Sequence, residues 1–267
     1  MRFKITCFLI LISISSLPAV SQIVNIESSR MQSDTVGWLG GLGAAFSFSQ
    51  NTRKIFQADF ETHIQYKTSN DQGLWLILGN VGFLKVNDNR FVSDGLFHLR
   101  YNRKVNEWLR WEFFGQIQNN VITQIDSRLL FGTGPRFKLS KTGKFRLYAA
   151  CLFMYENEKE RTNPVIRHSD LRNSSYISFT WLPRNNIELI STTYFQPLLK
   201  SLSDYRILNQ AVFKIKATPH FGMSVKWNYL HDRFPAGSAP RTTYSFATGL
   251  TYDFKKPPVR SGSRKPS

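Results

Sequence analysis

The feature that most restricts this chain is an alternation of apolar and polar residues, with a period of two, held over segments too long for an ordinary sheet. From 54 to 66 the even positions read Phe56, Ala58, Phe60, Thr62, Ile64 and Tyr66, and the odd ones Gln57, Asp59, Glu61, His63 and Gln65. From 107 to 119, Leu109, Trp111, Phe113, Gly115 and Ile117 share one face, while Arg110, Glu112, Gln116 and Gln118 share the other. A helix would scatter both sets around its axis, whereas a strand sends successive side chains to opposite faces. The pattern recurs at about 36–50, 53–67, 73–86, 92–103, 107–119, 127–139, 144–157, 170–182, 186–197, 204–217, 219–231 and 241–254, which predicts twelve strands. Strands of soluble sheets run ~5 or 6 residues, and a tilted strand needs ~9 to 11 to cross hydrocarbon. All twelve are long enough. A soluble sheet would need a second layer to bury its apolar face, and no amphipathic helix is visible to supply one. The expected fold is therefore all-β: a single closed antiparallel up-and-down transmembrane β-barrel of about twelve strands.

The start of the chain fits export. Arg2 and Lys4 precede an apolar stretch over 5–17, followed by Pro18, Ala19, Val20, Ser21 and Gln22, the order of a signal peptide cut between Ser21 and Gln22. That stretch is shorter than the ~20 residues of a spanning helix. The expected layout is a signal peptide over 1–21, an N-terminal periplasmic segment over 22–35, the barrel over 36–254 and a basic, disordered tail over 255–267. Cys7 lies inside the signal, so Cys151 is left without an intramolecular disulfide partner and reads as a small apolar side chain on a strand. The formal charge of +17 falls to +15 when Arg2 and Lys4 are removed. Nucleic acid is the usual partner of so basic a chain, but export turns the expectation toward anionic head groups, cell-wall polymers and acidic solutes.

The links between segments supply an independent test, because barrels of this kind keep short turns on the periplasmic side and longer loops outside. With the first strand starting in the periplasm, the turns at 68–72, 104–106, 140–143, 184–185 and 218–219 are short, and the outward loops at 120–126, 157–169 and 232–240 are the longest. Aromatic residues near strand ends, among them Trp38, Tyr66, Trp75, Tyr101, Trp111, Trp181 and Trp227, match interfacial girdles. The last strand ends Tyr244, Phe246, Thr248, Leu250, Tyr252 and Phe254, an alternating aromatic ending suited to recognition by the barrel assembly machinery.

The run Arg128-Leu-Leu-Phe-Gly-Thr-Gly-Pro-Arg-Phe-Lys-Leu139, with Phe145-Arg-Leu-Tyr-Ala-Ala-Cys-Leu-Phe-Met-Tyr-Glu-Asn-Glu158 after it, resembles a family of salt-induced outer-membrane proteins over about residues 36–254. In that family an Arg opens a glycine-bearing strand, and a small-residue strand then ends in aromatic and acidic residues. Gly132, Gly134 and Ala149 fit those places. The resemblance implies a barrel in the cell outer membrane, in contact with its lipids and lipopolysaccharide. The family is a domain of unknown function, so the resemblance carries over no catalytic residues.

On the polar face the expected inward cations are Arg100, Arg110, Arg128, Arg136, Lys138, Arg146, Arg206, Lys214, Lys216 and Lys226, opposed by Asp59, Glu61, Asp94, Glu112, Glu156, Glu188 and Asp253. Such a lumen, positive by three, could line a pore that favours small anionic solutes. The same charges could equally pair and fill a closed interior, as unpaired lumen charges would need water or partners. Histidines 63, 98, 168, 220 and 231 lack metal-ligand spacing, and no cofactor is expected. An outer-membrane phospholipase-like enzyme is the alternative, but no Ser and His pair with the required placement is visible, so no catalytic residue is assigned.

Overall fold

The computed structural model describes residues 36–50, 54–86, 91–121 and 123–254; the expected signal peptide, the 22–35 segment and the basic tail lie outside them. Twelve strands follow one another: β1 (Gly37–Gln50), β2 (Lys54–Lys67), β3 (Gly73–Val86), β4 (Phe91–Lys104), β5 (Leu109–Asn120), β6 (Ile125–Lys141), β7 (Phe145–Glu160), β8 (Arg167–Arg184), β9 (Ile187–Leu198), β10 (Ser201–Lys216), β11 (Phe221–Asp232) and β12 (Thr242–Asp253). Each pairs antiparallel with its chain neighbours, and β12 returns to β1, so the sheet is a closed barrel. Closure gives every strand two partners and leaves no open edge. The closing ladder, from Gly41↔Asp253 to Ala45↔Gly249, is shorter than the β1–β2 ladder from Gly37↔Lys67 to Gln50↔Lys54.

The period of two sorts the side chains as the sequence demands. Along β8, Asp170, Arg172, Ser174, Tyr176, Ser178 and Thr180 are buried, while Leu171, Ile177 and Trp181 between them are exposed. The outward face is apolar around the ring, with Phe60, Phe97, Phe131, Phe153, Phe195, Phe213 and Phe246 all exposed. On β6 the outward run from Leu129 to Leu139 covers eleven residues, roughly 33 Å of strand from first to last, which at a tilt of about 40° gives a band close to hydrocarbon thickness. At the turn end, Trp38, Tyr66, Trp75, Tyr101 and Phe113 are successive register partners on β1 to β5 and form a continuous aromatic row. Trp38 and Tyr66 are 4.7 Å apart, and Trp75 and Tyr101 4.5 Å.

The expected outward loop at 157–169 is shorter than its polarity suggested. The ladder continues through Glu158↔His168 and Lys159↔Arg167, leaving only 161–166 as the connection. Its charged residues pair within the extended hairpin, as in His168 Nε2 to Glu160 Oε1 at 2.6 Å, so polar composition alone is no sign of a loop.

Candidate functional site in the lumen

The ten expected cations all lie on the inward face, but they are distributed among separate groups. Next to the turn-end aromatic row Glu112 of β5, fully buried, receives Arg100 Nη1 at 3.0 Å and the Tyr176 hydroxyl at 2.8 Å, and Arg136 Nε lies 3.5 Å from its other oxygen. Arg136 also donates to the Tyr176 oxygen at 3.1 Å and lies over the Tyr148 ring at 3.6 Å. Arg100 lies 5.4 Å from the Phe114 ring centre. Two guanidinium groups thus share one carboxylate, and aromatic faces stabilise the remaining charge. Tyr176 belongs to β8, so this group crosses the lumen from the β4–β6 wall. Around it Leu76, Leu152, Met154, Ile190 and Val212 are inward-facing and buried. Inward side chains of a wide aqueous channel would be wetted; these are packed.

Toward the loop end a second group forms. Arg128 meets Glu156 at 2.9 Å and Glu158 at 2.5 Å; Arg172 meets Glu156 at 2.7 Å and Asp204 at 2.9 Å; Arg206 meets Glu156 at 2.5 Å and Asp232 at 2.7 Å. These side chains come from β6, β7, β8, β10 and β11, so the bridges cross the interior and do not merely follow one ladder. Three cations face four carboxylates.

Above this group the 233–241 connection reaches over the mouth. Gln124 Nε2 donates to Ser238 Oγ at 2.7 Å, and Ser238 N donates to Gln124 Oε1 at 3.0 Å. The β5–β6 and β11–β12 connections lie six strands apart in a ring of twelve, on opposite sides of the barrel. Gly237 makes the close approach possible: its φ is +51°, and a Cβ there would lie 2.2 Å from Gln124 Oε1. Beneath this strap is a cavity of about 100 Å³.

The turn end holds another cavity, also about 100 Å³, lined in part by Lys67, Lys104, Arg110, Lys138 and Lys141. Its two acids are shared. Asp71 lies 2.8 Å from Lys67, 3.6 Å from Lys104 and 3.7 Å from Arg110, and Glu107 meets Lys104 and, at 3.9 Å, Lys138. Partial burial pushes the Asp71 carboxyl up, but the Lys67 hydrogen bond and the charges of Lys67, Arg110 and Lys104 outweigh it and hold it below its ordinary value. The hydrogen bond and charge of Lys104 likewise hold Glu107 low. Elsewhere Lys226 of β11 pairs with Glu61 of β2, and Lys216 with Asp253 at 3.0 Å. Arg146 is buried on the inward face of β7, and Lys214 shares the inward face of β10 with Arg206 and Val212.

Sequence reasoning missed Arg172, Glu158, Glu160, Asp170, Asp204 and Asp232 as lumen groups. Five acids against one cation lower the positive balance at the loop end, while Lys67, Lys104 and Lys141 of the turn-end cavity were missed as well. Arg172 and Asp170 follow the same alternation as Ser174 and Tyr176 and were legible. Glu158, Glu160 and Asp232 lay in stretches read as connections.

The family described as "Protein of unknown function, DUF481" matches residues 42–254. The chain belongs to the DUF481 family. No curated protein matches it. Among solved structures, this DUF481 chain is similar to the outer membrane channel from Pseudomonas putida F1, at 8% identity and a TM-score of 0.51, covering 87% of this chain and 99% of that one. It is also similar to the NanC porin, at 11% identity and a TM-score of 0.50, covering 80% and 98%. At such identities the likeness is one of fold. The DUF481 description carries no reference to salt.

Proposed function

We propose that this DUF481 protein is an outer-membrane barrel that acts as a narrow, normally occluded channel for small solutes. The supporting observation is the contrast between its two faces: apolar side chains ring the outside, while inward charges are buried and paired across the lumen. An apolar exterior of this height belongs against acyl chains, with the aromatic rows at the interfaces and lipopolysaccharide around the loop end. The barrel assembly machinery is the expected insertion partner after export. Passage then requires the strap to lift and the Arg100–Glu112–Arg136 group to yield. A weak anion preference would arise at the turn end, where Lys67, Lys104, Arg110 and Lys138 outnumber Asp71 and Glu107.

Planar-bilayer recording of the refolded barrel tests the reading. The native protein should give small, infrequent conductance steps, and replacing 234–239 by a short Gly-Ser link should make them more frequent. Arg110→Gln with Lys138→Gln should move the reversal potential away from anions. Silence from both native and strap-shortened protein, each shown to be folded, would leave a purely structural barrel.

A further inference from the structure

The turn-end cavity gathers one sign of charge from four strands. Lys67 ends β2, Lys104 ends β4, Arg110 lies at the start of β5, and Lys138 and Lys141 lie at the end of β6, so the chain delivers five cations to one arc of the mouth. Arg136, which also lines the cavity, is tied to Glu112. Two lining carboxylates, Asp71 and Glu107, oppose the five. Shared partners show how close these cations are to one another. Nitrogens of Lys67, Lys104 and Arg110 all lie within 3.7 Å of the Asp71 carboxylate, and the amines of Lys104 and Lys138 both meet Glu107. The two signs are unequally buried: Asp71 and Glu107 are 43% and 80% exposed, while these four cations range from 14% to 31%. At the loop end Glu156 and Arg206 are both buried, and parting them would leave a dry, unmatched charge. At the turn end the acids can turn into water while the cations stay at the wall, and pairs with so exposed a member are weak. Asp71 is set over the cations by its backbone: its φ is +56°, its amide donates to Thr68 O at 3.1 Å, and the Gly73 amide donates to Thr68 Oγ1 at 2.8 Å.

We infer that the turn-end cavity is a binding site for a compact dianionic oxyanion, a phosphate group either free or carried on a small solute. The anion takes the place where the Asp71 carboxylate now stands, its oxygens accepting from Lys67, Lys104 and the Arg110 guanidinium, with Lys138 adding charge from the Glu107 side. Five cations against two carboxylates favour two negative charges over one. A tetrahedral group also offers acceptors in several directions, so it can meet the Arg fork and two ammonium groups together, which a single carboxylate does less well. A volume of about 100 Å³ holds one such ion with little room besides. The inference rests on the anion-favouring turn end proposed above and adds to it a site, a charge class and a competing side chain.

Calorimetric titration of the refolded full chain in uncharged micelles tests it, at constant ionic strength and about pH 8, above the second ionisation of a phosphate group near 6. The probes are inorganic phosphate, methyl phosphate and dimethyl phosphate, the last a singly charged diester of nearly the same size. Saturable binding of either dianion, with the diester about tenfold weaker, is the expected result. Whichever dianion binds more tightly identifies the free ion or the ester as the occupant, and both outcomes support the site. Arg110→Gln should weaken the dianion about tenfold, as loss of a hydrogen bond between charged groups does. Asp71→Asn keeps a residue that tolerates the left-handed backbone and removes the competing charge, so it should strengthen binding about fivefold. A merely structural role for Asp71 would not move affinity in that direction. Equal binding of methyl and dimethyl phosphate would overturn the dianion assignment. Affinity unchanged in both folded variants would place the anion elsewhere on this basic chain, and no saturation in the millimolar range would leave the cavity without an anion site. Binding is read here without conduction: a pore that conducts anions but saturates with neither dianion sinks the site and spares the channel reading, and a barrel that binds but never conducts does the reverse.

Discussion

Replacing Glu112 by Gln isolates the group that closes the barrel. The two side chains have nearly the same shape, so packing is kept and only the charge is removed. Glu112 is fully buried, and its partners Arg100 and Arg136 are 2% and 3% exposed. Gln retains an oxygen for the Tyr176 hydroxyl, but both guanidinium groups lose the carboxylate charge they share. Breaking a buried pair from one side costs about 3–5 kcal/mol, because the surviving charge is desolvated and unmatched. Here two cations are left, softened by the Tyr148 and Phe114 rings, so the lower half of that range is expected. Each 1.36 kcal/mol is about tenfold, so the unfolding equilibrium should shift by roughly two to three orders of magnitude. Denaturant titration in micelles, followed by tryptophan fluorescence, measures it. The same variant should conduct more often, since water and anions entering the lumen relieve the exposed charge. The double variant Arg100→Met, Glu112→Gln should recover only the share of the loss that Arg100 causes, because Arg136 still lacks its carboxylate. A cost for Glu112→Gln below about 1 kcal/mol, with conductance unchanged, would refute the claim that this group holds the lumen shut.

Gly132→Ala should destabilise by about 1–3 kcal/mol, because a Cβ there would lie 2.2 Å from the Phe114 ring that also stacks on His98; Phe114→Leu in the same chain should recover part of it by the same titration. Cys151 is exposed on the outward face at the middle of β7, so a nitroxide attached there should be more accessible to dissolved oxygen than to a water-soluble nickel chelate in liposomes. Lowering pH should strengthen anion preference: the folded Asp71 and Glu107 carboxyls are depressed, so their cation ties are intact above the ordinary values of 3.8 and 4.5 and are lost only as pH falls below them. The reversal potential across a salt gradient, followed from pH 6 to pH 3, checks the direction.

The alternation by itself determined that this chain forms a barrel, because a strand's side chains must alternate and twelve apolar faces without a covering layer have only lipid or one another to meet. The faces of β2 and β5 could be read from spacing alone, since those segments obey the period without interruption. Polarity misled where a hairpin outlasted its apolar residues, as at Glu158, Glu160 and His168, whose charges pair across the ladder and keep the strand going. What no one-dimensional pattern contains is which inward residues meet across the ring. Tyr176 lies 64 residues from Glu112 and Gln124 lies 114 from Ser238, yet each pair is in hydrogen-bond contact. Those meetings depend on strand number, tilt and stagger, which fix how wide the barrel is and which levels of opposite walls coincide. The sequence therefore determines which side chains point inward, and the closed tertiary ring decides that they pair, fill the lumen and leave a covered chamber toward the loop end.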